Sequence, residues 1–390
     1  MSTQPVWVNF PFAIITVAKR YKEKLMGLVA FLVVIQSLIL LVHWVVFRSM
    51  AHYLEFIGDG ERLLGWFFVL MSFTFLASNI ATRFLPGRLT RTAYFLAALS
   101  LGTVYFLFLG VVVVAFLQIS SDYLVQAMPG WVAPLVYALS FLWSLWSLTR
   151  LKEIRTRSLL LQLPQLPPKW QGKKIAFFAD THYGNIHREK AAERLVAKLK
   201  EISPDLILMG GDFFDGPPID PDSVTAPYRE LTQQIPTYFV SGNHEEYGKK
   251  AEFLRSLEKN GFRIINDQKI VLDGLQVVGL DFMTTRTSAA TEMTLKHLNV
   301  DRELPTIVLK HIPRHVKEIA ATGADLMLSG HTHQGQVWPA NLITAIIYQG
   351  YSFGWKKYKQ LHVYTTSGAG SWGPPQRLGT HAEVVVFTLT

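Results

Sequence analysis

Residues 174–182 read KIAFFADTH, a short apolar run that ends directly in Asp180, Thr181 and His182. The same grammar recurs in LILMGGD (206–212), TYFVSGNHE (237–245), TIVLKH (306–311) and LMLSGHTH (326–333). Runs of four to five β-branched, aromatic or aliphatic residues have strand length, and the stretches Arg188 to Ile202 and Lys249 to Lys259 between them carry helical periodicity. Strands alternating with amphipathic helices predict an α/β layered fold. Further strands are expected at Gln276 to Gly279, Leu361 to Thr365 and Glu383 to Leu389. The Ser158 to Pro168 stretch reads as a first strand plus linker.

The polar residues fall where chemistry is expected. In open α/β sheets ligands bind beyond the carboxyl ends of the strands, so Asp180, His182, Asp212, Asn243, His311, His331 and His333 are expected on one rim. Gly211, Gly242 and Gly330 supply tight turns beside them. The chain has no cysteine, which excludes disulfides, thiolate nucleophiles and Cys-ligated metals. Two carboxylates, one amide oxygen and four imidazoles suit Mn, Fe, Zn or similar divalent ions, and seven donors exceed the need of one ion. Two ions sharing a carboxylate, roughly 3.5–4 Å apart, activate water for in-line displacement at phosphorus.

Upstream the composition changes. Residues 1–151 hold 10 Lys and Arg and 5 Asp and Glu, out of 38 and 29 in the 390-residue chain. Leu25 to Phe47, Leu63 to Thr82, Ala93 to Leu117 and Trp131 to Thr149 contain no formally charged residue. Each is long enough to cross a hydrocarbon core of roughly 30 Å as a helix. Val6 to Ala18, short and holding Pro11, is expected in the interface instead, and no small-residue cleavage site follows the first long run. His43, beside Trp44, reads as an interfacial residue. The spans hold no carboxylate or Lys of the kind that marks an ion path, so anchoring is expected over transport.

Twelve basic residues flank one side of the spans (Lys19, Arg20, Lys22 and Lys24; Arg83, Arg88 and Arg91; Arg150, Lys152, Arg155, Arg157 and Lys169). Two, Arg48 and Arg62, flank the other. The positive-inside rule then predicts a multi-pass protein of the inner (plasma) membrane with both termini and the α/β domain in the cytoplasm. The net charge of +9 is a topology and lipid-surface signal. No aromatic-interleaved basic patch argues for nucleic acid.

The ordered motifs DTH (180–182), GD (211–212), GNHE (242–245), His311 and GHTH (330–333) resemble the calcineurin-like metallophosphoesterases, over about residues 156–390. The closing segment TSGAGSWGPPQR (366–377) is similar to the membrane-associated bacterial branch, which includes UDP-2,3-diacylglucosamine pyrophosphatases. The resemblance implies a layered β-sandwich flanked by helices, with two divalent ions, Mn first and Fe, Zn or Mg as alternatives. One ion would be held by Asp180, His182, Asp212 and His333, the other by Asp212, Asn243, His311 and His331, with Asp212 bridging. It implies a catalytic, non-ligand role for His244 and an orienting role for Asp215. In the Ser/Thr phosphatase branch an Arg follows that aspartate, where Gly216 stands here, and Gln334 replaces a usual Gly.

The expected organisation is a four-span anchor over 1–150, a linker and first strand over 151–170, and a phosphoesterase domain over 156–390. Glu245 reads as a partner of an imidazole or a plain loop acid, and Asp281 as a further acid that could reach the rim. His187, His297, His315, His362 and His381 read as ordinary structural histidines. Arg377, Arg286 and Tyr351 are candidate substrate contacts; the Lys356, Lys357 pair reads as a solvated charge run. The aromatics Tyr348, Tyr351, Phe353 and Trp355 suggest a loop that lines an apolar groove, dips into the bilayer or simply packs. The expected activity is hydrolysis of a phosphoester or pyrophosphate in a phosphorylated, lipid-linked substrate at the membrane surface. The alternatives are a soluble nucleotide or cyclic-nucleotide phosphodiesterase and a non-catalytic sensor or scaffold with a structural metal site. The sequence leaves the oligomeric state open.

Overall fold

A computed structural model describes residues 10–124, 126–216 and 218–390, with side chains from residue 26 onward apart from residue 28. Residues 6–9 of the expected interfacial stretch and the side chains of the basic arm Lys19, Arg20, Lys22 and Lys24 lie outside the described set. Four helices are long and apolar enough to cross a membrane: α1 (Phe10–Tyr53), α2 (Gly58–Phe84), α3 (Arg88–Tyr123) and α4 (Val132–Ser147), the last continued by a 3-10 turn to Lys152. They overlap the four expected spans; α1, α2 and α3 run longer, because flanking polar residues extend a helix past its apolar stretch, whereas α4 stops at Ser147, short of the expected Thr149, and passes into the 3-10 turn. α1 continues unbroken through Pro11, which stands in its first turn, where a missing N–H leaves no hydrogen bond unmade.

The chain forms two compact units, Met1–Ala77 with Thr103–Phe141, and Ser78–Gly102 with Leu142–Thr390. In the first, Val46, Phe68, Val104, Leu107 and Tyr137 pack together, and the Ser49 and Tyr137 hydroxyls meet at 2.6 Å. His43 is buried, with Nδ1–H donating to the Ile39 carbonyl at 2.8 Å and the ring edge-on to Phe68. That corrects the interfacial reading: the ring lies inside the bundle, with Nδ1 satisfied by the backbone carbonyl one turn back and Nε2 buried without a partner among the described residues. Phe31, Trp66 and Leu70 on the outer faces stay more than half exposed, which suits lipid and not water.

The second unit holds two six-stranded sheets. The first, in order, is β1 (Ile154–Leu161), β12 (Ala382–Leu389), β2 (Lys174–Phe178), β3 (Leu206–Met209), β4 (Thr237–Phe239) and β5 (Arg263–Ile264). The second is β10 (Gly354–Tyr358), β11 (Leu361–Thr365), β9 (Leu326–Ser329), β8 (Thr306–Lys310), β7 (Leu275–Leu280) and β6 (Gln268–Leu272). The runs β2-β3-β4-β5 and β11-β9-β8-β7 are parallel. Helices α5 (Glu189–Ile202), α6 (Pro221–Thr225), α7 (Arg229–Gln234), α8 (Lys250–Lys259), α9 (Ser288–Leu298), α10 (Val316–Ala320) and α11 (Ala340–Ile347) complete it.

Side chains alternate across each strand, and in the inner strands β2, β3, β4, β7, β8 and β9 both faces are covered. Ile175, Phe177, Leu206 and Leu208 meet Val277, Ile307, Leu309 and Leu328 between the sheets. Ala176, Phe178, Ile207 and Met209 face Leu195, Leu199, Phe253 and Leu257 of α5 and α8. Val278, Val308 and Met327 face Leu295 and Ile319 of α9 and α10. Double burial explains why the strands read as unbroken apolar runs. Each Leu-sized side chain so covered contributes about 1.5–3 kcal/mol relative to exposure.

The first strand begins at Ile154, ahead of the expected Ser158, because it pairs in parallel with β12 from Ile154 against Ala382. The expected aromatic loop is largely ordered structure: Trp355 lies on β10 and its ring packs on those of His362, Tyr364 and Phe387.

Candidate metal centre

The turns that leave β2, β3 and β4 of one sheet and β8 and β9 of the other carry Asp180, His182, Asp212, Asn243, His311, His331 and His333. Asp180, His182, Asp212, His331 and His333 all have φ between 47° and 72°. Left-handed backbone is uncommon for such residues and is held only where surroundings enforce it. Glycines make the close approach possible: a Cβ on Gly242 would fall 2.1 Å from Asp212 Oδ1, and one on Gly330 would fall 2.2 Å from Asp180 Oδ2.

The donors converge in three overlapping sets, each with its atoms within 4.8 Å of one another: Asp180, His182 and His333; Asp212, His311 and His331; and His182, Asp212 and His244. His182 Nε2 is 2.9 Å from His333 Nε2 and 3.9 Å from both Asp180 Oδ1 and Asp212 Oδ2. His311 Nδ1–H donates to the Gly210 carbonyl at 2.7 Å, so its Nε2 turns a lone pair toward Asp212 Oδ2, 3.0 Å away. Two electron-rich atoms at that distance call for a cation or a proton between them. Asn243 Oδ1 is buried with no hydrogen-bond partner among the described residues, while its Nδ2 donates to the Tyr247 hydroxyl at 3.2 Å.

Electrostatics agree. Burial opposes charging of His311, yet the Asp212 carboxylate raises its pKa to about 9, which marks a place where positive charge is stabilised. Burial lowers His331 to about 3, with the His311 imidazole adding to the fall, so it stands neutral, as a ligand must. Burial likewise drives His333 well below its ordinary value. The donor set and the unpartnered atoms fit divalent cations.

His244 and Asp215 join this rim. His244 Nδ1 lies 3.4 Å from Asp215 Oδ1 and 3.2 Å from the Asp215 carbonyl, and the His244 backbone N–H donates to Asp212 Oδ1 at 2.8 Å. Asp215 Oδ1 is also 3.4 Å from His182 Nδ1. The His244 ring contacts Tyr247 and Trp372, which are both 55% exposed, so it stands toward the mouth of the site. Gln334 keeps a left-handed φ of 53° without being Gly, its N–H taken by Thr332 Oγ1.

The candidate substrate contacts scatter. Arg377 is 2% exposed; its guanidinium donates to the Ser367 and Gly370 carbonyls and lies 3.3 Å from His333 Nδ1. That burial corrects the substrate-contact expectation: Arg377 braces the closing segment from behind. The Arg286 guanidinium lies 5.9 Å from the centre of the Phe282 ring. Tyr351 lines a cavity with Arg314 and Tyr348. Asp281 takes Lys250 Nζ at 2.7 Å and caps Met283 N–H, and it lies outside the three donor sets.

Two residues matter more than their sequence context suggested. Glu245, fully buried, accepts from the backbone N–H groups of Asp212, Phe213, Phe214 and Gly242 at 2.7–3.3 Å and so clamps the two metal-facing turns together. His187, read as ordinary, is buried and bonds Ser371 through both Oγ (2.8 Å) and N–H (3.0 Å), pinning the closing segment. Gly370 of that segment donates its N–H to the Asp180 carbonyl. A Cβ on Gly370 would meet the Thr181 carbonyl at 2.2 Å. Gly370→Ala is therefore expected to cost about 2–3 kcal/mol, read as a lower thermal unfolding midpoint of the full-length protein.

A two-sheet α/β sandwich with a rim of imidazoles and carboxylates at its strand ends defines a metal-dependent hydrolase scaffold. The chain belongs to the calcineurin-like metallophosphoesterases: the model of that family, described as calcineurin-like phosphoesterase, matches residues 173–335. An uncharacterised metallophosphoesterase of Aquifex aeolicus is 31% identical over 231 residues, 57% of this chain and 87% of that one. One of Campylobacter jejuni is 28% identical over 243 residues, covering 61% of this chain and 64% of the relative. A Bos taurus transmembrane protein with a metallophosphoesterase domain is 28% identical over 244 residues, 58% and 54% of the two chains. The chain thus spans about three fifths of the length of several relatives it matches. The family uses a dinuclear metal site, and the donor sets above are its candidate ligands.

Proposed function

We propose that this protein is a membrane-anchored, dinuclear-metal phosphoesterase that hydrolyses a phosphoester or pyrophosphate bond of a lipid-linked substrate at the cytoplasmic face of the inner membrane. The membrane anchor would occupy residues 1–150 and the catalytic domain 156–390. The observation that carries the reading is the convergence of the strand-end donors from both sheets, with His244 and its Asp215 partner beside them.

Two divalent cations, with Mn first, would be held by Asp180, His182, Asp212 and His333 and by Asp212, Asn243, His311 and His331. When bound they supply Lewis-acid charge and a water nucleophile at neutral pH. The chain's own residues do the rest. As the water oxygen bonds phosphorus and the P–O ester bond breaks, the leaving oxygen needs a proton. His244 is placed to give it, with Nδ1 turned toward Asp215, which leaves Nε2 for the substrate. Burial opposes protonation of His244, but the neighbouring Asp212 carboxylate and Asp215 raise its pKa to about 9; Asp215, which holds no cation in this reading, would favour the charged ring.

The test is hydrolysis of bis(p-nitrophenyl) phosphate by full-length protein loaded with Mn, before and after EDTA. Activity that survives complete chelation would sink the reading. His244→Asn is expected to lower kcat about a hundredfold with metal content unchanged, because it removes a proton donor and no ligand. Loss of metal in that variant would assign His244 to the ligands instead.

A further inference from the structure

α11 is built inside out for a protein in water. Ala340, Asn341, Thr344 and Ala345 are half-buried, whereas Leu342, Ile343, Ile346 and Ile347 are 52–80% exposed on the outer face. That spacing places four large aliphatic side chains in one exposed stripe. Trp338, just before the helix, is 54% exposed, and Trp372, tied to it through Gln336, is 55% exposed. No charged residue occurs from Gln334 to Trp355; then Lys356 and Lys357 follow, both exposed. Apolar stripe, flanking tryptophans and basic margin together match an element lying in a lipid interface.

The segment bonded to Gln336 also reaches the parts of α3 and α4 that lie in the same compact unit. Gln336 Nε2 donates to the Trp372 and Pro374 carbonyls, and Gln376 of the same segment donates to Ser144 Oγ of α4 at 2.9 Å and to the Leu99 carbonyl of α3 at 3.4 Å. All these residues belong to the second compact unit. At the C-terminal end of α11 a cavity of about 440 Å³ is lined by Ile347, Tyr348, Tyr351, Arg314 and Lys317. The Tyr348 ring lies 5.8 Å from that of His331, and the Arg314 guanidinium lies 5.3 Å from the Tyr348 ring. Arg314 and Lys317 bring two positive charges to the lining against the single carboxylate of Glu318, Ile347 gives it an apolar side, and Tyr348 adjoins the donor rim.

We propose that α11 with Trp338 inserts into a lipid surface and that the cavity at its end receives the anionic head group of an amphiphile drawn from that surface. The substrate assignment rests on the phosphoesterase reading; the insertion does not. A second copy of the chain covering the stripe would be a different occupant, and the experiment separates the two.

The natural chain has no cysteine, so Ile346→Cys in the full-length protein takes a single environment-sensitive dye. In proteoliposomes of phosphatidylcholine and phosphatidylglycerol, doxyl-labelled lipid is expected to quench this dye at least about threefold more than the same dye on Glu201→Cys of α5. Equal quenching at the two positions, with free access for iodide, would overturn insertion. Energy transfer between copies labelled at Ile346→Cys, without lipid quenching, would give the stripe to a second copy and overturn it equally. In the second arm, the double variant Ile343→Glu, Ile346→Glu is expected to keep its rate on bis(p-nitrophenyl) phosphate. It should lose roughly tenfold on p-nitrophenyl hexadecyl phosphate presented in the vesicles. An equal fall on both diesters would mean a structural role and overturn the proposal. Absence of any EDTA-sensitive diester hydrolysis in the unsubstituted protein would instead sink the phosphoesterase reading, with the quenching result still standing.

Discussion

Asp212→Asn is expected to lower hydrolysis of bis(p-nitrophenyl) phosphate by roughly three orders of magnitude while leaving the protein folded. Asp212 is the acid that stands in two of the three donor sets, within 3.0 Å of His311 Nε2 and 3.9 Å of His182 Nε2. Burial alone would raise its pKa, but the imidazoles of His311, His244 and His182 hold it well below the carboxylate range, so it stands as an anion between the two proposed cation sites. Asn preserves the shape and can still accept the His244 N–H bond. It removes the charge that two cations would share. Metal analysis of the purified variant should find occupancy reduced at one or both sites. Full activity with full metal content would refute the bridging role.

The second large effect concerns stability. Glu245→Ala is expected to destabilise the protein by about 3–5 kcal/mol, because four buried backbone N–H groups lose their acceptor at once. For a unit of this size that corresponds to a fall of roughly 10 °C in the unfolding midpoint. Burial raises the pKa of Glu245 to about 7, with the Asp212 charge adding to the rise and the backbone N–H bonds opposing it. Glu245→Gln tests the same contacts differently. It keeps one carbonyl acceptor and turns an NH₂ group toward N–H donors, so it should recover only part of the loss. An unfolding midpoint within about 1–2 °C of the parent for Glu245→Ala would show that the clamp contributes little, by the same order-of-magnitude scale.

Much of the rim was legible in the sequence. Ligand-type residues sit immediately after apolar runs, and a sheet buried on both faces forces those runs to be strands, so the line from KIAFFADTH to a strand-end donor is short. Helices α5 and α8 were legible for a related reason, since one apolar stripe per helix is visible at helical spacing.

What stayed hidden depends on neighbours distant in sequence. Glu245 follows GNH like any loop acid; its work is visible only once β3 and β4 bring four N–H groups around it. His187 acquires a role from Ser371, far along the chain. β5 has two residues and β10 reads GWKKY, so neither gives a period, and pairing with β4 and β11 makes them strands. Arg377 looked like a phosphate contact because a lone arginine in a Gly-rich tail usually reaches solvent; here the tail folds over it. α11 misleads in the opposite sense, since an apolar helical stripe is ordinarily assigned to a core.

The donors leave two separate sheets: Asp180, His182, Asp212 and Asn243 from the first, His311, His331 and His333 from the second. Cations held as proposed would therefore also rivet the sandwich together. By mass action, free metal at a hundredfold over its dissociation constant adds about 2.7 kcal/mol per independent site to the native state. On the proposed reading, the thermal endurance of this protein would become a gauge of the metal supply around it, and starvation for metal would surrender both the catalyst and part of the fold that carries it.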